Sequence, residues 1–308
     1  MSVSAKVYED DRRLLWGLCY RMTGNASDAE DLVQETFVRA LEKPPRRLDE
    51  PLRPWLVRVA MNLSRDHLRR RKVRGYTGEW LPSPVSTEEE SLASYEPPAP
   101  SSDSPATRYD MVESVSFAFL LALEALTPSQ RAVLILRDVF DYSTGETAEA
   151  LGVSEASVKV MLHRARRRMR DYEGARIAPL AGIKEGTRRA IDRFLYCLKT
   201  GDSEALERLL AEDVVSLSDG GGEVAAGLHP VQGRGKVMRL IQGLAKKAEG
   251  RQRISFQNLN GLPALVVETG LARAGFASRF TMHFDVDREG RIRRLFTVLA
   301  PRKLSALP

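Results

Sequence analysis

Residues 143–170 read SerThrGlyGluThrAlaGluAlaLeuGlyValSerGluAlaSerValLysValMetLeuHisArgAlaArgArgArgMetArg. The stretch has the grammar of two short helices joined by a tight turn. Ser143 and Glu146 stand at capping-box spacing. Gly152, between Leu151 and Val153, turns the chain without a Cβ penalty. Ser154 then N-caps a second helix whose buried stripe is Val158, Leu162 and Ala165. Ser157, Lys159, Val160, His163, Arg164 and Arg167 project elsewhere. A helix packed on one side and basic on the other fits the major groove, with early residues at base edges and later arginines at phosphates. On this reading Lys159, His163 and Arg164 read bases, while Arg167, Arg168 and Arg170 hold phosphates. An amphipathic hairpin with a solvated charged face is the plainer alternative, and the coincidence of turn, caps and cations favours DNA.

Working outward, the helix grammar repeats. Thr127, Pro128 and Gln130 supply an N-cap, an N1 proline and a capping-box partner. Upstream, Ser27 and Glu30 open a helix in the same way. Ala29, Leu32, Val33, Thr36, Phe37, Ala40 and Leu41 form its inner face, and Asp28, Asp31, Gln34 and Glu35 its outer one. Dipole capping accounts for Asp28 and Asp31 but not for Glu35, two turns on. An acidic face in a chain of net charge +6 points to a protein partner. Pro54 is placed to start the next helix, with Trp55, Leu56, Val59, Ala60, Leu63 and His67 inward. Arg58, Asn62, Arg65, Arg69 and Lys72 recur along another side. Arginine forks suit phosphates and Asn suits a base edge, so a second nucleic-acid face is expected there.

Composition divides the 308 residues. The expected segments are a helical module at 1–75, a flexible linker at 76–107 rich in Pro, Ser and Glu, the helix-turn-helix module at 108–172, a connector at 173–183 and an α+β domain at 184–308. In the last, Ile191, Phe194, Leu195 and Leu198 make one helical stripe, and Val237, Leu240, Ile241 and Leu244 another. Phe280, Met282, Phe284 and Val286 then alternate with Arg279, Thr281, His283 and Asp285 as a strand, with a turn at 287–290. Helices followed by a curved antiparallel sheet describe a cone. The two cysteines, Cys19 and Cys197, suggest neither a disulfide framework nor a metal site. With no apolar run of membrane length and no signal core, a cytoplasmic protein without cofactor is expected.

Three motifs in order, AspAlaGluAspLeuValGlnGluThrPhe (28–37), TrpLeuValArgValAlaMetAsnLeuSerArgAspHisLeuArgArg (55–70) and the 126–169 stretch, resemble the extracytoplasmic-function group of sigma-70 factors. The resemblance covers residues 8–72 and 112–170. It implies that Asp28, Asp31, Gln34 and Glu35 dock on core RNA polymerase, whose β and β′ subunits are the expected partners. It implies that Arg58, Asn62, Arg65, Arg69 and Lys72 meet the −10 strand, with a flipped base held by the 43–54 loop. It implies that Ser157, Lys159, Val160, His163, Arg164 and Arg167 meet the −35 element of promoter DNA. Val160 replaces the small polar residue common there.

The extension resembles the SnoaL-like domain fused to some of these factors. Trp80-Leu81-Pro82, Asp219-Gly220-Gly221-Gly222 and ProArgLysLeu at 301–304 match that group's motifs, the last departing from AsnProAspLysLeu. The resemblance implies a regulator in cis. An isolated Trp in a linker is costly unless it docks, and the Asp219–Gly222 turn, with accessible backbone amides, is the expected partner of Trp80-Leu81-Pro82. Catalysis is not expected, because His283 and Asp219 are thin candidates; a small-molecule ligand is the one further partner left open. A stand-alone helix-turn-helix regulator with a ligand-binding extension is the competing function.

Overall fold

The computed structural model describes residues 5–44, 51–74, 76, 78–88, 108–175, 180–248, 252–270 and 275–307. Contacts divide the chain into two compact units, one of residues 1–75 with 89–175, the other of residues 76–88 with 176–308. Among the described residues, no helix is long and apolar enough to cross a membrane.

Among its described residues the first unit has helices and no strand. Helices α1 (Ala5–Thr23), α2 (Ala26–Glu42) and α3 (Leu52–Arg74) pack around buried Leu15, Leu18, Met22, Val33, Leu56 and Met61. Asn25, not Ser27, caps α2: its side chain accepts from Ser27 N at 3.0 Å and Asp28 N at 3.4 Å. An Asx side chain two residues earlier starts the helix sooner and takes the free amides of Ser27 and Asp28. Leu41 is 65% exposed, so the apolar face of α2 ends at Ala40. Helix α3 begins at Leu52, two residues before Pro54, and the proline still falls in the first turn, where its missing N–H costs nothing.

Helices α4 (Phe117–Ala122), α5 (Pro128–Leu134), α6 (Thr144–Leu151), α7 (Glu155–Arg168) and α8 (Arg170–Ala175) complete the unit. Both expected capping boxes form, Thr127 with Gln130 and Ser143 with Glu146. Edge-to-face contacts among Tyr109, Phe119 and Tyr172, with centroids 4.9–6.2 Å apart, seat α8 on α4.

The second unit sets α9 (Leu180–Thr200), α10 (Ser203–Leu209) and α11 (Arg234–Ala248) against one sheet. Its strands are β1 (Leu210–Asp219), β2 (Val231–Gln232), β3 (Gln252–Leu259), β4 (Leu262–Thr269), β5 (Arg279–Val286) and β6 (Ile292–Val298), in spatial order β2-β1-β6-β5-β4-β3. β1 runs parallel to β6, so the sheet is mixed and not antiparallel throughout. The core joins Ile191 and Phe194 of α9 to Phe284, Val286 and Leu295 of the sheet, with the Phe194 and Phe284 rings edge-to-face at 5.3 Å. Leu244, expected in the α11 stripe, is exposed. Asp287 closes the β5–β6 turn by accepting from Glu289 N and Arg291 N.

Candidate nucleic-acid interface

The turn between α6 and α7 forms as its chemistry dictates. Gly152 takes φ +64°, the left-handed conformation that ends α6, and Val153 N donates to Ala148 O at 3.0 Å. Ser154 caps α7 by accepting from Ser157 N at 3.2 Å. Val158, Ala165 and Met169 are buried, fixing the inward side of α7. Arg166, which sequence reading left unassigned, forks onto the buried Asp138 carboxylate at 2.6 and 2.9 Å. That bidentate pair sets the rotation of α7 about its axis. Ser157, Lys159, Val160, His163, Arg164 and Arg167 are therefore all exposed on the remaining surface. Arg168 is exposed too, and its guanidinium donates to Ala125 O at 2.7 Å. Arg170 lies beyond the end of α7 and donates to Arg167 O.

On α3, Arg58, Asn62 and Arg69 are exposed. Arg69 pairs with Asp66 at 2.7 Å. Arg65 is only half-exposed: it donates to Asn62 Oδ1 at 3.3 Å and to Leu151 O at 3.2 Å, and its Nε has no hydrogen-bond partner. Burial, then the neighbouring Arg69 charge, hold its guanidinium below the usual range. The Lys72 side chain lies outside the described residues, as do residues 45–50 of the 43–54 loop.

Asp31, Gln34 and Glu35 line the outer surface of α2, and Asp28 sits partly covered beside His67 at 3.2 Å. Glu35 pairs with Arg39 one turn on. The same row continues into two exposed apolar residues, Val38 and Leu41, which the sequence reading did not place there. Their i+3 and i+4 spacing from Gln34, Glu35 and Val38 was the available signal.

In the second unit a buried carboxylate gathers the linker. Asp219 Oδ1 accepts from Tyr76 Oη at 2.7 Å and Gly221 N at 2.8 Å. Its Oδ2 accepts from Leu81 N at 2.8 Å and Lys303 Nζ at 2.7 Å. Lys303 also donates to Leu81 O, and its ammonium lies 4.9 Å from the Tyr76 ring and 4.7 Å from the Trp80 ring. Gly220 cannot carry a side chain, because a Cβ there would stand 2.3 Å from Val224 O. The structure thus brings Leu81 to Asp219 and Trp80 to Lys303, and adds Tyr76. A second anchor follows, with Val85 N donating to Asn260 Oδ1 at 3.0 Å and Thr87 N to Asn258 O at 2.8 Å. Leu81, Val85 and Thr87, expected within a flexible linker, therefore have partners for their backbone groups.

His283 alternates with the helix-facing Met282 and Phe284, on the opposite side of the sheet. It is buried beside Thr281 Oγ1 at 3.1 Å, and burial drives its imidazole down to about 3. A groove of about 520 Å³ runs past Asp192, Arg193, Arg208, Glu289 and Arg291, with both signs of charge along it.

Comparison with known proteins gives these faces a context. Residues 7–74 match the Sigma-70 region 2 family and residues 116–169 the Sigma-70, region 4 family. The ECF RNA polymerase sigma factor SigJ of Mycobacterium tuberculosis is 32% identical over 243 residues, covering 78% of this chain and 72% of that protein. SigG of the same species is 42% identical over 167 residues, 51% of this chain and 45% of its own length. The crystal structure of M. tuberculosis SigJ superposes with a TM-score of 0.72 at 27% identity, covering 99% of both chains.

Proposed function

The chain belongs to the extracytoplasmic-function RNA polymerase sigma factors, and we propose how its surfaces divide that work. It is a promoter-specificity subunit carrying a C-terminal SnoaL-like domain. Asp28, Asp31, Gln34 and Glu35 of α2 take the core-polymerase contact. Arg58, Asn62, Arg65, Arg69 and Lys72 of α3 take the −10 strand, where Asn addresses a base and the arginines the backbone. Ser157, Lys159, Val160, His163, Arg164 and Arg167 of α7 take the −35 element. A stand-alone regulator would have no use for the first of these faces. The protein works in the cytoplasm, beside the polymerase and the chromosome.

The observation that carries the division is the orientation of α7. One side is pinned by Val158, Ala165 and the Arg166–Asp138 fork, and the whole proposed reading row is left exposed. A promoter library tests it. Alanine at Lys159, His163 or Arg164 should cost ~1–3 kcal/mol at one promoter position, whereas Arg167→Ala should weaken all promoters alike. Uniform losses for both sets would remove the assignment.

The C-terminal unit acts in cis by holding the segment that follows α3. Tyr76 through Glu88 carry the start of the linker, so clamping them at Asp219 and Asn260 shortens the free chain between the −10 and −35 modules. Burial holds the His283 imidazole at about 3, which makes it a poor general base near neutral pH.

A further inference from the structure

The groove of about 520 Å³ in the second unit is lined by α9, α10 and the β5–β6 turn, and by no strand residue. It therefore lies outside the space between helices and sheet, which Ile191, Phe194, Leu265 and Phe284 fill. Helix α9 contributes Arg193, Tyr196 and Cys197, which share one face at i, i+3 and i+4. Helix α10 repeats that arrangement with Ala205, Arg208 and Leu209. Buried Cys197 and Leu209, with half-buried Ala205, make the floor apolar. On the third side Gly290 leaves the wall open, since a Cβ there would meet nothing within 4 Å. The volume falls in the range of small-molecule sites, roughly 300–1,000 Å³.

The charges along the groove are unevenly satisfied. Asp192 is engaged by Arg188 at 3.4 Å, and Glu289 by Arg291 at 3.3 Å. Arg291 also holds Asp287 at 2.8 Å. Arg208 has Glu204 at 3.7 Å, with both side chains exposed, a contact of little energetic worth. Arg193 forms no ion pair among the described residues, whereas Arg189 on the same helix pairs with Glu185. Two guanidinium groups thus stand over an apolar floor with donors to spare. Beside them the Tyr196 ring is 63% exposed, one turn along α9 from Arg193.

We infer that this groove binds a small aromatic carboxylate. The floor and the face of Tyr196 take the ring. The planar fork of Arg193 matches a carboxylate, and Arg208 adds a second cation from the facing helix. Asp192 and Glu289 restrict the ligand to a single negative charge, because a dianion would meet their repulsion. A neutral ring would forgo the charge-assisted bonds. The site is separate from the surfaces proposed for polymerase and promoter, so it stands or falls independently of them.

Isothermal titration of the full chain with sodium 2-naphthoate near neutral pH tests the site. Binding should saturate at one ligand per chain. Arg193→Gln and Tyr196→Ala should each weaken it at least about tenfold, with melting temperatures unchanged because both side chains are exposed. Should Tyr196→Ala fail to fold, Arg193→Gln decides. Tyr196→Phe, which keeps the ring, should bind as the parent does. So should Arg239→Gln, which removes an exposed cation from α11, outside the groove. Neutral 2-naphthol and doubly charged 2-naphthyl phosphate should each bind at least about tenfold more weakly than the carboxylate. The absence of saturable binding, or parental affinity in Arg193→Gln, would overturn the inference. Equal binding of 2-naphthol would also overturn it, making the groove an apolar site, and tighter binding of the phosphate would do so by making it a phosphate site.

Discussion

Lys303 and Asp219 meet as an ion pair at 2.7 Å with both side chains buried, although 84 residues separate them in the chain. The pair also holds the Leu81 backbone, its N–H on Asp219 and its carbonyl on Lys303. Lys303→Ala would leave a buried carboxylate without its cation, at a cost of ~3–5 kcal/mol. Proteolysis within residues 76–88 should accelerate, and promoter activity should change without any change in duplex affinity of the −35 module. Trp80→Ala should do the same more weakly, by the ~1 kcal/mol of a cation–π contact. Unchanged proteolysis in Lys303→Ala would sink the clamp.

Promoter melting is the second expectation. The Arg65→Ala, Arg69→Ala double variant should lower permanganate reactivity at the −10 region and flatten the salt dependence of promoter binding. Core affinity should hold, because α2 is untouched. Full permanganate reactivity in the double variant would separate α3 from melting.

The α2 face predicts the converse pattern. Asp31→Ala with Glu35→Ala should weaken binding to core polymerase by about tenfold while leaving DNA affinity alone. Leu41→Ser, at a residue 65% exposed, should weaken core binding with the melting temperature unchanged. A fall in the melting temperature in place of core affinity would return Leu41 to a packing role.

His283 makes the second unit acid-sensitive. Its folded imidazole titrates at about 3 against an ordinary 6.5, so the unfolded chain binds the extra proton first as pH falls. The histidine leaves stability unaffected above pH 6.5. It subtracts about 1.4 kcal/mol per pH unit between there and about 3. His283→Gln should flatten denaturation midpoints between pH 6 and 4. A parallel decline in both proteins would place the acid sensitivity elsewhere.

Local chemistry made the first unit legible. Gly152, Ser154 and the two capping boxes act within four residues, and the structure realises each of them. Ser27 misled because Asn25 offers the same chemistry two residues earlier. Leu41 misled because helical periodicity does not reveal where the core ends. The second unit hid what depends on distant partners. β1 lacks clean alternation, and its parallel pairing to β6 joins segments about 80 residues apart, so the mixed sheet leaves no local mark. The linker carries few apolar residues, yet Leu81 and Val85 are buried because Asp219 and Asn260 satisfy their backbones. Asn260, at φ +53°, is matched to Val85 across 175 residues.

Run-off transcription with purified core RNA polymerase on a promoter library tests the central claim most directly. Core polymerase with the full chain should produce discrete, promoter-dependent transcripts that core alone does not. The selected promoters should share a −35 element whose preference shifts with His163→Ala or Arg164→Ala. Binding of duplex DNA without any core-dependent transcript would contradict the account and make the chain a DNA-binding regulator instead.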